Sequence, residues 1–460
     1  MSGESDRAFS RIGIGLALLG LAFNPFIVAF CFAPDGRIIS SGWILLITLC
    51  EALLIIGGMT VWRKRKSLDR KAFLFGTITT LITIASIETG LHVLQHIIRP
   101  DEFRAINSRL KSSVYEHKSW ADSLFRENGA LDIDLEPTMG WKTQPYHGKF
   151  INIDSAGVRR TMQSAISPSA DSSCSLYCFG GSTMFGSYVR DGGTIPSFLS
   201  SFLSNQDAPC CVVNYGDQGY TFKQEIMKLT LMLRDNSRPT DVLFYDGVND
   251  VISCYYAEHP FPPGLLSPLY KTVELMKQPF PRRLGVITRD YLEENLLLFR
   301  AFDRLAGLLF GPTHSRSGRK NYSASELEEM SRAIVQEYKA SYDLLLRLSA
   351  SYHFKIFCFL QPVIFTKENP TTEELNVDRE VHDERFKKLY LDTYSLLGQS
   401  GLQNFYDLSG ALNQAHGTYY VDFCHLSEEG NQIVAAKMAT VLMDQIGRDR
   451  TSLATRKWTR

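Results

Sequence analysis

Apolar residues are concentrated at one end of this 460-residue chain, and that concentration limits what the chain can fold into. Three apolar stretches occupy the first hundred residues: Ile12–Phe32, Gly42–Trp62 and Ala72–Leu94. Each has the roughly 20 residues that a helix needs to cross a hydrocarbon core. A cleaved signal peptide would explain the first stretch but not the others, and three such helices in a row are unusual in a soluble domain. We therefore predict three membrane spans within residues 1–94.

Basic residues in the short loops predict the orientation of these spans. The second loop contains Arg63, Lys64, Arg65, Lys66, Arg70 and Lys71, whereas the first contains Arg37 alone. Because positively charged loops stay in the cytoplasm, we expect a cytoplasmic N-terminus and an extracytoplasmic chain after Leu94, in a periplasm or at the cell surface. Lys+Arg and Asp+Glu are both 49, so the overall charge gives no indication of a nucleic-acid partner.

The chain after the spans alternates between two kinds of pattern. Residues 95–170 are predicted to be a stalk and lead-in segment, and residues 171–450 a large folded domain. Strand-like runs and helical periodicities alternate in that domain, which predicts an α/β fold with a parallel sheet covered by helices. The segment at about 255–320 breaks the alternation, and we expect a helical insertion beside the site. The strand-like runs are Leu176–Phe179, Cys210–Tyr215, Asp241–Tyr245, Lys355–Leu360 and Asn404–Tyr406.

Cysteine usage leaves the state of the thiols open. Cys178, Cys211 and Cys358 lie inside strand-like runs, where a thiol behaves as a small buried apolar group. An exported domain also permits a disulfide, for which Cys174 or Cys254 is a candidate. The sequence shows no cysteine and histidine spacing typical of zinc, so we predict no metal and no cofactor.

The residues Phe179–Gly186 contain a serine, Ser182, directly after the first strand-like run. The preceding glycines allow a sharp turn that would expose the hydroxyl. Near the other end of the chain, Asp422 stands three residues before His425. That spacing allows one loop to supply a base and the carboxylate that orients it, which is what an acyl-transferring serine requires. We therefore predict Ser182, Asp422 and His425 as a catalytic triad.

Three hydrogen-bond donors are predicted for the oxyanion that forms in the reaction. One is the backbone N–H of Ser182 itself; the other two, the backbone N–H of Gly219 and the side-chain amide of Asn249, follow the next two strand-like runs. Each motif alone has a simpler explanation, such as a glycine-rich turn or a helix N-cap. Their order along the chain and their position after strands favour the catalytic interpretation.

Together these motifs resemble the SGNH (GDSL-like) hydrolase superfamily, named for its Ser, Gly, Asn and His. Ser182, Gly219, Asn249 and the Asp422/His425 pair match its motifs, with Gly216 a less favoured match than Gly219. The first motif reads Gly-Gly-Ser-Thr in place of Gly-Asp-Ser-Leu, which leaves the substrate open. The resemblance implies a three-layer α/β/α fold and ester chemistry without a metal.

From these features we expect a membrane-tethered serine esterase that removes acyl groups, acetyl first among them, from a glycan or envelope lipid. Two alternatives stay open. One is an O-acyltransferase that uses the same triad on a surface polysaccharide, with partners in polysaccharide assembly. The other is an inactive glycan-binding assembly protein that keeps the fold.

Overall fold

The computed structural model describes residues 2–32, 41–98, 108–162, 174–205, 210–256, 275–301, 305, 322–377 and 379–457. The chain divides into two compact units. One contains Met1–Glu102 with Leu269–Lys320, and the other contains Phe103–Pro268 with Asn321–Arg460. Residues 275–301 and 305 of the predicted insertion therefore belong to the same unit as the apolar helices, whereas residues 255–256 belong to the second unit. Its position beside the site stays a prediction.

The apolar unit contains two helices that are long and apolar enough to cross a membrane, judged by length and composition. They cover Ile44–Lys64 and Arg70–Val93. The prediction of three spans is corrected here, because the first apolar stretch does not form one helix within the described residues. The helices of this unit are Ser2–Ala22, Pro25–Phe32, Ser41–Lys64, Arg70–Ile98 and Phe280–Asn295.

A proline explains the break in the first stretch. Pro25 has no N–H to continue a helix, and it disfavours helical backbone angles in Asn24. The side chain of Asn24 instead accepts a hydrogen bond from the N–H of Phe26 at 2.9 Å and so begins a new helix. The helix before the break packs along Ser41–Lys64. A Cβ added at Gly13 would lie 2.6 Å from the carbonyl oxygen of Gly58, so the two backbones touch there, as small residues allow in membrane helix pairs.

The second unit is built on a five-stranded parallel sheet, in agreement with the predicted α/β class. Four short antiparallel strands precede it: β1 Ile133–Glu136, β2 Gly140–Thr143, β3 Tyr146–His147 and β4 Asn152–Ile153. The strands of the main sheet are β5 Ser175–Gly180, β6 Cys211–Asn214, β7 Asp241–Asp246, β8 Lys355–Leu360 and β9 Phe405–Asp407. Their order is β6-β5-β7-β8-β9. Residues in the centre of β5, β7 and β8 are buried whichever face they point to, as expected where helices cover both faces of a sheet.

The strand order explains how the helices divide between the two faces. From β5 to β6 the chain moves toward one edge of the sheet, and from β6 to β9 it moves toward the other edge. Because parallel crossovers are right-handed, the helix between β5 and β6 lies on one face and the helices between β6 and β9 lie on the other. The packing agrees: Ile195–Asn205 contacts the C-terminal helix Glu428–Lys457, whereas Ala324–Tyr352 contacts Phe222–Arg234, Val248–Tyr256 and Glu384–Gly398. Layers of helix, sheet and helix result.

Part of the predicted stalk is packed into this second unit. The helix Ala121–Gly129 contributes Leu124 to a small core that contains Ile151, Ile153 and Phe185. The fully buried Arg159 donates hydrogen bonds to the carbonyl oxygens of Phe185, Gly186 and Val189. This segment therefore supports the loop that follows Ser182.

A disulfide joins Cys174 to Cys210. The two residues stand directly before β5 and β6, where the parallel register pairs Ser175 with Cys211. Of the two candidates for a disulfide, Cys174 is therefore paired, and Cys254 is a buried thiol. Cys178, Cys211 and Cys358 are each at most 1% exposed, which confirms the prediction that they are buried in strands.

Candidate active site

Ser182 lies at the carboxyl end of β5, where ligands bind in sheets of this kind. It begins a four-residue helix, Ser182–Phe185, which Gly186 ends in the left-handed conformation with φ of 91°. As the first residue of that helix, Ser182 has a backbone N–H that the helix itself does not pair. The sharp turn brings the hydroxyl group to the edge of the sheet.

A chain of hydrogen bonds links the three residues predicted as a triad. The Nε2 atom of His425 lies 2.8 Å from the Oγ atom of Ser182. Its Nδ1 atom lies 2.8 Å from the Oδ2 atom of Asp422. Because the carboxylate only accepts, the proton belongs on Nδ1, and Nε2 is left to accept the hydrogen of the serine hydroxyl. The structure thus brings together Ser182, His425 and Asp422, although their catalytic roles stay a prediction.

The loop that carries Asp422 and His425 closes on itself. The N–H of Val421 donates to the carbonyl oxygen of His425 at 2.9 Å, and Tyr420 forms a bridge with Leu426. Inside this turn, Oδ1 of Asp422 accepts from the N–H of Cys424 at 3.0 Å and from that of His425 at 2.7 Å. The local turn therefore holds Oδ1 of Asp422 and leaves Oδ2 for other partners.

Asp422 is held in its charged form. Only 1% of its surface is exposed, and burial alone would raise its pKa. The charge and hydrogen bonds of His425 and the guanidinium of Arg109 act in the opposite direction and hold the pKa of Asp422 well below its usual range. An ionised carboxylate at this position can stabilise the imidazolium that forms when His425 takes a proton.

Of the two other predicted oxyanion donors, Gly219 lies in a turn and Asn249 in the first turn of the helix Val248–Tyr256. Asn249 donates its Nδ2 to the carbonyl oxygen of Tyr220 at 2.7 Å, which orients the amide and leaves its second hydrogen for a substrate. A Cβ at Gly181 would collide with this amide, so Asn249 lies directly against the residue before Ser182. Gly219 precedes Tyr220 and adopts φ of 74°. The roles of Asn249 and Gly219 stay predictions.

Gly216, the less favoured match, has a different environment. A Cβ at Gly216 would lie 2.9 Å from the backbone of Met184 and would also meet Phe185, so this glycine allows a loop to pack on the helix behind the nucleophile. Close packing against this backbone therefore explains why a glycine stands at position 216 without a role in binding an oxyanion. The assignment of the donor to Gly219 is therefore kept.

Two residues near His425 were not predicted from the sequence. Arg109 donates its Nε to Oδ2 of Asp422 at 2.6 Å, from a position 313 residues earlier in the chain. The ring of Tyr188 packs nearly perpendicular to the imidazole of His425, with 5.2 Å between the ring centroids. No local pattern marks either residue, because both contacts depend on how distant segments pack.

A second group of buried carboxyls lies behind Asn249. Glu225 is 0% exposed, Asp246 4% and Asp250 7%. The pKa of Glu225 is raised well above its usual range, chiefly by burial and also by the charge of Asp246 and a hydrogen bond to that residue. Burial also raises the pKa of Asp246, and raises that of Asp250 to about 6. Neither carboxyl oxygen of Glu225 meets an N–H or O–H donor among the described residues, so a proton between Glu225 and Asp246 satisfies the pair.

One group of side chains in the described part of the chain combines three types found in metal sites. Atoms of Asp422, Cys424 and His425 lie within 4.8 Å of one another. Both imidazole nitrogens of His425, however, already lie at hydrogen-bond distance from Asp422 and Ser182. This arrangement suits proton transfer, and the prediction of chemistry without a metal or cofactor is retained as a prediction.

Comparison with known proteins gives similarity at the level of solved structures only. No protein-family model matches the chain, and no curated protein matches it. The chain is similar to a member of the lipolytic protein G-D-S-L family from Veillonella parvula DSM 2008, with 11% identity over 59% of this chain and 99% of the other and a TM-score of 0.33. It is also similar to a carbohydrate acetylesterase family member from Sinorhizobium meliloti, with 13% identity over 60% and 99% and a TM-score of 0.31.

A third similar structure is the lipase/acylhydrolase from Enterococcus faecalis, with 13% identity over 59% of this chain and 96% of the other and a TM-score of 0.31. Similarity at these identities and TM-scores carries no conclusion about function.

Proposed function

We propose that this protein is a membrane-tethered serine esterase of the SGNH type, which removes acyl groups through an acyl-enzyme. The observation that carries the proposal is the hydrogen-bond chain from Ser182 through His425 to Asp422, with 2.8 Å at each step. The ionised state favoured for Asp422 supports it further. An inactive glycan-binding protein would have no need of this chain.

The first half of the reaction forms the acyl-enzyme. Oγ of Ser182 attacks the acyl carbon of the ester while Nε2 of His425 takes the hydroxyl proton. The negative charge that develops on the carbonyl oxygen accepts hydrogen bonds from the N–H groups of Ser182 and Gly219 and from the amide of Asn249. When the C–O bond breaks, the imidazolium gives its proton to the departing alkoxide, and an alcohol leaves.

The second half uses the same groups. His425 takes a proton from water as the water oxygen attacks the acyl carbon, and it returns that proton to Oγ of Ser182 when the carboxylic acid is released. If a sugar hydroxyl takes the place of water, the outcome is acyl transfer. Hydrolysis is the proposal, and transfer is an outcome that the experiment below can detect.

The proposed substrate is an acetyl ester on a glycan or envelope lipid. Two apolar helices, Ile44–Lys64 and Arg70–Val93, are candidates for a membrane anchor that would keep the enzyme near such molecules. Acetyl is proposed as the acyl group on the strength of the motif resemblance. The acyl chain length is the first property that a substrate series would measure.

The catalytic unit is proposed to face away from the cytoplasm. Two spans are sufficient for this orientation. The basic loop from Arg63 to Lys71 lies between the two candidate spans, so a cytoplasmic loop puts the chain after the second span on the opposite side. The Cys174–Cys210 disulfide supports this location, because disulfides persist in oxidising compartments. Reporters fused at residues 67 and 110 should lie on opposite sides; reporters on the same side would exclude this topology.

Hydrolysis of p-nitrophenyl acetate and of acetylated oligosaccharides by the full chain in detergent tests the activity. We expect turnover that Ser182→Ala reduces by about four to six orders of magnitude. Ser187→Ala is the matched control, because Ser187 is a buried serine in the same turn. Equal activity in the wild type and Ser182→Ala would exclude the esterase. Product that forms only when a sugar acceptor is added would identify the transferase instead.

A further inference from the structure

Arg109 reaches the triad from outside the region that the motifs cover. It lies in a short 3-10 helix, Ser108–Lys111, within the segment predicted as a stalk. Its Nε atom lies 2.6 Å from Oδ2 of Asp422, the same oxygen that faces Nδ1 of His425. Two donors, one from each end of the catalytic unit's sequence, therefore meet on one carboxylate oxygen.

The surroundings of Arg109 fix its guanidinium group. The guanidinium lies over the ring of Tyr188, with 4.9 Å from Cζ to the ring centroid. The same Tyr188 ring packs nearly perpendicular to the imidazole of His425. The side chain of Arg109 is 31% exposed and that of Asp422 1%, so the ion pair is shielded more than a surface pair. Tyr188 thus lies against both partners of Asp422.

The segment around Arg109 is anchored on the same loop. Leu110 and Tyr115 are buried in a small core that includes Val421, the residue before Asp422. The hydroxyl of Tyr115 donates to the carbonyl oxygen of Tyr188 at 2.9 Å. Packing therefore fixes the distance between Arg109 and the catalytic loop, and the contact does not depend on the long side chain alone.

We propose that Arg109 is a positioning residue for the reaction proposed above: it fixes the carboxylate of Asp422 so that Oδ2 faces His425, and it adds a positive charge behind the imidazole. The inference rests on the proposed function for its effect on rate. Its effect on the geometry of the Asp422–His425 pair does not depend on which ester is hydrolysed.

The added charge has a consequence for pH dependence. Among the residues that the structure describes, the titratable and charged groups near His425 are Asp422, Tyr188, Cys424 and, beyond Asp422, Arg109 and Tyr115. Arg109 is the cation in this set, and a nearby cation disfavours a second positive charge on the imidazole. Removing Arg109 changes the charge beside the reacting imidazole, so we expect the pH profile of the rate to change.

Three variants of the full chain in detergent test the role. Arg109→Gln should lower kcat/KM about 10- to 100-fold, because a hydrogen bond to a charged group is lost. It should also move the acid limb of the pH profile upward by about 0.5–1 on the pH scale. Arg109→Lys keeps the charge and should hold the limb near its original pH with an intermediate rate. Lys118→Gln is the control, since it breaks an ion pair of the same segment with Glu429 at 2.8 Å.

A second readout separates this inference from the proposed function. In ¹⁵N-histidine-labelled protein, the Nδ1–H resonance of His425 should move in Arg109→Gln but not in Lys118→Gln. If the wild type hydrolyses no ester and the resonance still moves, the proposed function fails and the positioning role stands. An unchanged acid limb together with an unchanged resonance would overturn the role of Arg109. If Arg109→Gln does not fold, the same comparison between Arg109→Lys and the wild type decides, since loss of the Nε donor alone should still move the resonance.

Discussion

Asp422 and Glu225 are buried to the same degree, with 1% and 0% of their surfaces exposed, yet their surroundings favour opposite protonation states. Asp422 accepts from two backbone N–H groups, an imidazole and a guanidinium, and its pKa is lowered. Glu225 faces another carboxyl, Asp246, and its pKa is raised. Burial disfavours charge in both places, so the donors and charges around each carboxyl decide the outcome.

The difference distinguishes the proposed catalytic carboxylate from a carboxyl group that we expect to have a structural role. An ionised Asp422 can stabilise an imidazolium, whereas a protonated Glu225 can only share its proton with Asp246 at the end of β7. Asp246 is followed closely by Asn249, a predicted oxyanion donor. We therefore expect changes at Asp422 to reduce rate, and changes at Glu225 to affect mainly stability and its dependence on pH.

The largest effect is expected when each carboxylate is replaced by its amide and kcat is measured. Asp422→Asn should lower kcat by about 10⁴-fold, because the amide would favour the wrong tautomer of His425. Glu225→Gln is the matched change in the other group and should alter kcat by less than about threefold, since it keeps a hydrogen-bond donor toward Asp246. Similar losses in both variants would remove the distinction between the two groups.

A smaller loss of kcat is expected when Asn249, the predicted oxyanion donor that follows Asp246, is replaced. Asn249→Ala should lower kcat by about 10²–10³-fold with little change in KM, because the amide is proposed to contact the oxygen only as charge develops. Asn249→Asp offers a control of similar size that adds a charge and should be slower still. A change in KM alone would assign Asn249 to substrate binding.

The smallest effect is expected in thermal stability measured against pH. The pKa of Glu225 is raised in the folded state, so the folded protein holds a proton that the unfolded chain releases above about pH 4. The wild type therefore loses stability as the pH rises, whereas a glutamine at position 225 does not titrate. The Tm of Glu225→Gln minus that of the wild type should be about 2–4 °C more positive at pH 8 than at pH 4.

Asp422 should show the reverse dependence. Its folded pKa is lowered, so its contribution to stability is present above the pKa of the unfolded chain and is lost as the pH falls. Asp422→Asn should then cost more stability at pH 7 than at pH 3. Parallel Tm curves for Asp422→Asn and Glu225→Gln would contradict the opposite charge states.

The sequence was sufficient for the features that depend on local pattern. The strands of the sheet follow from runs of apolar residues, and the start of the helix Ala324–Tyr352 follows from the capping box of Ser323 and Glu326. The predicted positions of Ser182, Asp422 and His425 also coincide with a hydrogen-bond chain. Each of these motifs carries its geometry within a few residues.

Features that depend on distant contacts could not be predicted. The contact of Arg109 with Asp422 spans 313 positions, and the pairing of Glu225 with Asp246 requires a helix to pack against the end of a strand. The break at Asn24 and Pro25 is different, because a proline inside an apolar stretch was a readable local signal. A helix break at Pro25 predicts two long spans instead of three.

Covalent labelling of the full chain with a fluorophosphonate, followed by mass spectrometry, tests the central claim most directly. The reagent reacts with a serine only when a base activates it. We expect one adduct, on Ser182, formed at a rate that falls sharply in His425→Gln and in Asp422→Asn and is unchanged in Ser187→Ala. A protein that acquires no adduct, or that is labelled equally at other serines, would contradict the assignment of Ser182, His425 and Asp422 as a catalytic triad.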